Sequence, residues 1–273
     1  MTLSGADIAQ LLSAHGLRPN KALGQNFVAD PNTVRRIARL SGVGPGSRVL
    51  EIGAGLGSLT LALVETGAAV VAVEADRHLV PVLRSLVEPT GVEVVEGDAL
   101  TLDLAGLVAA RSGGEWDLVA NLPYNVATPL VLRTLVEVDA VKRLLVMVQR
   151  EVGERMAAAV GDPSYGAVSV RVAYFARAEV VGRVPASVFV PRPRVESVLV
   201  RLVRRPAPAV DPATVSYERL DTVVRAGFAQ RRKMLRRSLA GVVDPGAFVR
   251  AGVRPDARAE ELDVADWGRL AAP

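Results

Sequence analysis

The sequence contains no cysteine. That excludes a disulfide framework, Cys-ligated zinc, iron–sulfur clusters and thiol nucleophiles, and it fits a reducing compartment. Histidine is nearly missing too, with only His15 and His78, so triads and His-based metal sites have almost no material to draw on. No apolar run approaches the ~20 residues of a membrane span. Met1 to Gly16 carries acidic Asp7 among its apolar residues, without a basic start or a cleavage site. A soluble, cytoplasmic protein is expected, with no membrane partner and no metal.

What is present suits a folded enzyme. The chain has 273 residues, half of them apolar, enough for one large domain and a small one. Net charge is +4 with a pI near 9.8. The excess is mostly arginine, which fits either a polyanionic partner held through phosphates or an ordinary solvated basic surface.

Residues 4–15 have apolar positions at helical spacing and stop at Gly16. Lys21 to Val28 reads as too mixed for a core element. Asp30 and Pro31 supply an N-cap and a first helical proline. The chain then alternates strand, loop and helix. Strands are expected at 47–52, 69–73, 92–96, 116–120 and 144–148, with helices at 58–66 and 78–87. Near-continuous Val, Leu and Ile in these strands predicts a parallel sheet covered on both faces, an α/β doubly wound domain. Residues 166–175 fit strand or helix. Strands are expected at 180–184 and 195–203, around the turn Pro191-Arg192-Pro193. Arg204 to Ala209 reads as a linker into helical material, including a helix near 231–239.

The strand ending at Ile52 runs into Gly53-Ala54-Gly55-Leu56-Gly57, a turn that lets backbone approach a ligand. Ser58 stands where the dinucleotide fingerprint needs glycine. With Glu51 just before it, the loop suits S-adenosylmethionine instead. Glu74 ends the second strand about twenty residues on, where a carboxylate can accept ribose hydroxyls or stand at the surface. Asp98 follows the third strand and either accepts from an adenine amine or caps the next segment. Three such features at successive carboxyl ends converge on one crevice.

The fourth strand delivers Asn121-Leu122-Pro123-Tyr124 to the same edge. Alone this is ordinary turn chemistry. Beside a methyl donor, the Asn121 side-chain oxygen and Leu122 carbonyl can hold an aromatic amine in line for transfer, and Tyr124 can stack on a flipped base. Phe189, just before the proline turn, is a candidate for the base's other face. Arg225, Arg231, Arg232, Lys233, Arg236 and Arg237 are candidate phosphate contacts.

Together, Gly24 to Phe27, the 51–57 loop, Glu74, Gly97-Asp98, 121–124, Tyr165-Gly166, 189–197, Arg232-Lys233 and 254–262 resemble the ribosomal RNA adenine N6,N6-dimethyltransferases. The likeness runs from Lys21 nearly to the end, with Val28 in place of a usual leucine and Glu196 of a usual aspartate. The resemblance implies a Rossmann-like class I methyltransferase domain, residues 1–205, with an N-terminal helical extension over 1–45. Its sheet would have seven mostly parallel strands and an antiparallel seventh. A small all-α RNA-binding domain would cover 206–273, and 166–175 would be helical. Asn26 and Val28 would join Glu51, Gly53, Gly55, Glu74, Asp98 and Asn121 around the cofactor. The catalytic set would be Asn121, Leu122, Pro123, Tyr124 and Phe189. The implied substrate is a pair of adjacent adenosines in a 3′-terminal hairpin of small-subunit rRNA, met in the immature 30S subunit by a monomer. A large-subunit rRNA dimethyltransferase is a second reading, disfavoured by Leu122, where that group more often has isoleucine. A DNA adenine methyltransferase would more often have proline there. An rRNA-binding assembly factor, its catalysis secondary or lost, is a third class.

Overall fold

The computed structural model describes residues 2–20, 23–111, 114–230 and 232–273. It divides into two compact units, one holding the residues up to Gly153 with Glu179–Val203, the other Glu154–Ala178 with Arg204–Pro273.

The first unit opens with α1 (Gly5–Ala14), capped by Ser4, a short strand β1 (Phe27–Val28) and α2 (Pro31–Ser41). Asp30 caps α2 by accepting from the Asn32 and Thr33 amides, and Gly42 ends it in the left-handed region at φ 71°. Then follow β2 (Arg48–Ile52), α3 (Ser58–Val64), β3 (Ala69–Glu74), α4 (Val80–Val87), β4 (Glu93–Glu96), α5 (Leu104–Ala109), β5 (Trp116–Asn121), α6 (Ala127–Glu137) and β6 (Val141–Gln149). Beyond α7 (Arg150–Ala157) and α8 (Ala167–Phe175), the chain adds β7 (Ala176–Val184), β8 (Phe189–Val190) and β9 (Ser197–Arg204).

The seven-stranded sheet runs β4-β3-β2-β5-β6-β9-β7. The pairs among β2 to β6 are parallel, and β9 runs antiparallel to β6. Strands β2, β5 and β6 are almost wholly buried, as a sheet covered on both faces requires. The chain works outward from β2 to β4 and resumes on the other side with β5. The switch point, where α/β folds bind ligands, therefore lies between the carboxyl ends of β2 and β5.

Several expectations change. Phe27 and Val28 are buried, at 7% and 4% exposed, and pair with Val190 and Phe189 in a two-stranded ladder. Their partner lies far along the chain, so no local periodicity announces a core element. The sequence reading leaves α5, α6 and α7 unassigned, although α6 buries Leu130, Val131 and Leu135. Residues 204–209 are not a free linker: the Arg205 and Ala209 amides donate to the Phe175 and Tyr174 carbonyls, both at 2.8 Å. These donors sit beside Pro206 and Pro208, which have none.

The second unit is helical, with α8 joined by α9 (Tyr217–Ala229), α10 (Leu235–Ser238), α11 (Ala247–Ala251) and α12 (Val264–Ala271). Its core includes Tyr165, Leu220, Val224 and fully buried Trp267. The helix implied for 166–175 is present as α8. The helix expected over 231–239 shrinks to the single turn α10, with Arg232 and Lys233 in the turn before it; Arg231 lies outside the described residues. No helix among the described residues is long and apolar enough to cross a membrane.

Candidate active site

A cleft of about 280 Å³ opens at the carboxyl ends of β2, β3 and β5, built entirely from the first unit. Its floor is the turn after β2. Gly55 has φ 60°, and a Cβ there would sit 3.1 Å from the Phe27 ring, so both the turn and the close packing require glycine. The Gly55 amide donates to Glu74 Oε2 at 2.7 Å and the Asp76 amide to Oε1 at 2.8 Å. Glu74 is thus fixed beside the turn, with acceptor capacity left for a ligand. Burial raises its pKa, opposed by these amides.

Glu51 is 1% exposed, and its Oε2 has no hydrogen-bond partner. Burial first, and then the neighbouring Glu74 charge, push its carboxyl up to about 8. The buried Ser58 hydroxyl is also without a partner, and both residues line the cleft. Unsatisfied buried polar atoms at a cavity wall are where a polar ligand is held. An S-adenosylmethionine-type cofactor fits this donor and acceptor set. Its cationic groups would favour ionised Glu51, its ribose the acceptor capacity left on Glu74. Asp98 Oδ1 accepts from the Leu100 amide at 2.9 Å, so Asp98 does cap its own turn; it lines the cleft as well.

The other wall is the 121–124 turn. Asn121 Nδ2 donates to the Asn26 carbonyl at 3.1 Å. A carbonyl only accepts, so the amide orientation is settled, and Oδ1 is left with no donor among the described residues. The Leu122 amide donates to the Met147 carbonyl at 3.0 Å, while the Leu122 carbonyl accepts nothing among the described residues. Two free acceptors on successive residues thus border the cleft. Tyr124 is half-buried, with its hydroxyl 3.0 Å from Ser197 Oγ. The segment after Leu23 packs over this turn: a Cβ on Gly24 would meet Pro123, and Gln25 Nε2 reaches Asp76 Oδ2 at 2.7 Å.

Asn26, Val28, Glu51, Gly53, Gly55, Glu74, Asp98, Asn121, Leu122, Pro123 and Tyr124 all line the cleft. Phe189 does not. It is 3% exposed in the core, paired with Val28, and offers no free ring face to a base in this arrangement. Arg225, Arg232, Lys233, Arg236 and Arg237 are exposed in the second unit, Arg225 in an ion pair with Asp221. Sequence reasoning gave no role to Gln25, Asp76 or Ser197. Each is polar beside a motif, but the partner that explains it lies far away in the chain.

The chain is similar to known proteins. The family model described as Ribosomal RNA adenine dimethylase matches residues 16–272. "Ribosomal RNA small subunit methyltransferase A" of Kineococcus radiotolerans is 45% identical, the match covering 99% of this chain and 91% of that one. The protein of the same name from Streptomyces avermitilis is 46% identical, covering 98% and 92%. Among solved structures, the 23S rRNA methyltransferase ErmE superposes with a TM-score of 0.69 at 26% identity, covering 90% of this chain and 98% of that one. A dimethyladenosine transferase from Plasmodium falciparum shares the fold, with a TM-score of 0.71 at 24% identity and coverage of 88% and 94%. A match over nearly the whole length, together with free acceptors beside a glycine-floored cleft, places this chain in the ribosomal RNA adenine dimethylase family.

Proposed function

We propose that this protein carries adenosines of small-subunit ribosomal RNA to the N6,N6-dimethyl state, using S-adenosylmethionine. The observation that carries the reading is the pair of free acceptors, Asn121 Oδ1 and the Leu122 carbonyl, beside the cleft. Near-full-length identity of about 45% to proteins named for the small subunit, against 26% to ErmE, supports the small-subunit substrate. The finer reading is two adjacent adenosines in a 3′-terminal hairpin, met in an immature 30S subunit in the cytoplasm by a monomer.

The bound cofactor supplies a methyl group on a positively charged sulfur. An adenine amine is a weak nucleophile because its lone pair is delocalised into the ring. Asn121 Oδ1 and the Leu122 carbonyl accept its N–H groups, aim the nitrogen, and favour the pyramidal form in which the lone pair is available. Asn121 is ready for this role because the Asn26 carbonyl already holds its amide. Tyr124 offers a ring for the flipped base. After transfer the methylated amine is strongly acidic and loses its proton to water, so no strong base is needed. Arg225, Arg232, Lys233, Arg236 and Arg237, with Arg231, hold phosphates and place the RNA without reading its sequence.

The test is to incubate the protein and labelled cofactor with unmodified small subunits, mature large subunits and DNA, then map the label. Label confined to small-subunit adenosines is expected. Transfer only to large-subunit RNA overturns the substrate assignment, and no transfer anywhere favours an RNA-binding assembly factor.

A further inference from the structure

Ser197 opens β9, is 0% exposed, and stands opposite Gln149 at the end of β6. Its hydroxyl lies 3.0 Å from that of Tyr124. The 121–124 turn is fastened to the same ladder a second time, through the Leu122 amide on the Met147 carbonyl at 3.0 Å, and Met147 pairs with Leu199. The β6–β9 ladder therefore grips the turn at its main chain and at the tip of its ring. A tyrosine ring held only at Cβ can swing about its first side-chain torsion, and a hydrogen bond at the opposite end removes that freedom. Burial raises the Tyr124 pKa, so the ring tip stays a neutral hydroxyl able to share a proton with Ser197. Ser197 is not among the residues lining the cleft.

We propose that Ser197 is a positioning residue for methyl transfer, fixing where the Tyr124 ring lies so that a base stacked on it presents its amine to Asn121. This rests on Tyr124 being the ring that receives the base.

The test uses the full chain and unmodified small subunits, with single-turnover transfer at saturating cofactor and cofactor affinity measured separately by calorimetry. Ser197→Ala and Tyr124→Phe should each slow transfer about tenfold, the share of one hydrogen bond, with cofactor affinity unchanged. The double variant should be no slower than the slower single one, because both remove the same hydrogen bond. Ser197→Thr, which keeps the hydroxyl, should restore most of the rate. Multiplying losses in the double variant overturn the proposal, as does a folded Ser197→Thr protein as slow as Ser197→Ala. Tyr124→Phe keeps the ring and its volume, so its transfer at the wild-type rate refutes the proposal even if Ser197→Ala fails to fold. Failure of the underlying reading is separate: Tyr124→Ala would then transfer normally, whereas failure of the Ser197 role alone leaves Tyr124→Ala impaired.

Discussion

Replacing Asn121 with alanine removes two things at once. The target amine loses the Oδ1 acceptor, and the Asn26 carbonyl loses the donor that sits 3.1 Å away. The second loss is a stability effect of about 0.5–1.5 kcal/mol, so the melting temperature should fall by no more than roughly 2–6 °C. The first loss is felt only when the amine is held for reaction. Removing one preorganised hydrogen-bonding group from a reacting centre costs about 10²–10³-fold in rate. Cofactor affinity should change by less than about tenfold, because the glycine floor, Glu51 and Glu74 remain. Single-turnover transfer to unmodified small subunits, with calorimetric titration of the cofactor, separates these effects. A wild-type rate refutes the amine alignment, and so does a rate loss that disappears at saturating cofactor. Asn121→Asp sharpens the test. Its carboxylate keeps the acceptors but faces the Asn26 carbonyl with no proton to donate, and protonation restores that donor. Its rate relative to wild type should therefore rise as pH is lowered; a flat ratio contradicts the anchoring role of Asn26.

Glu51 predicts a pH dependence of stability. Its folded-state pKa of about 8 lies above the ordinary 4.5, so across that window the folded protein keeps a proton that the unfolded chain releases. Stability of the ligand-free protein should fall as pH rises from about 4.5 to about 8, with this contribution level above that. Denaturant titrations should show a flatter profile for Glu51→Gln, and identical profiles would place the burial effect elsewhere. Replacing Arg232, Lys233 and Arg236 with alanine should weaken RNA binding and reduce the slope of log affinity against log salt by about 0.7–0.9 for each phosphate no longer neutralised. An unchanged slope returns this run to a solvated surface.

The α/β class, the strands β2, β3 and β5, and the glycine turn were legible because each rests on local signals. Buried parallel strands require unbroken apolar runs, and a turn at positive φ requires glycine. That the residues at the strand ends share one cleft was legible for the same reason, since a doubly wound sheet places successive carboxyl ends along one edge. Helix α6 was missed because no cap marks its start; Val126 before it makes no side-chain cap. The helix expected over the basic run was drawn too long for the opposite reason, as arginine-rich sequence has good helix propensity whether or not the chain turns there.

By itself, then, the sequence determined which chemistry the protein can perform: a glycine turn, acidic residues at strand ends, and an amide and an aromatic in one tetrapeptide. Pairings across long stretches of chain decided how those groups are held. The Asn26 carbonyl orients an amide 95 positions away, Ser197 reaches Tyr124 across 73, and the core takes up Phe189 through its pairing with Val28. Such partners leave no periodic trace, because each is a single polar or aromatic residue whose role depends on what the sheet brings beside it.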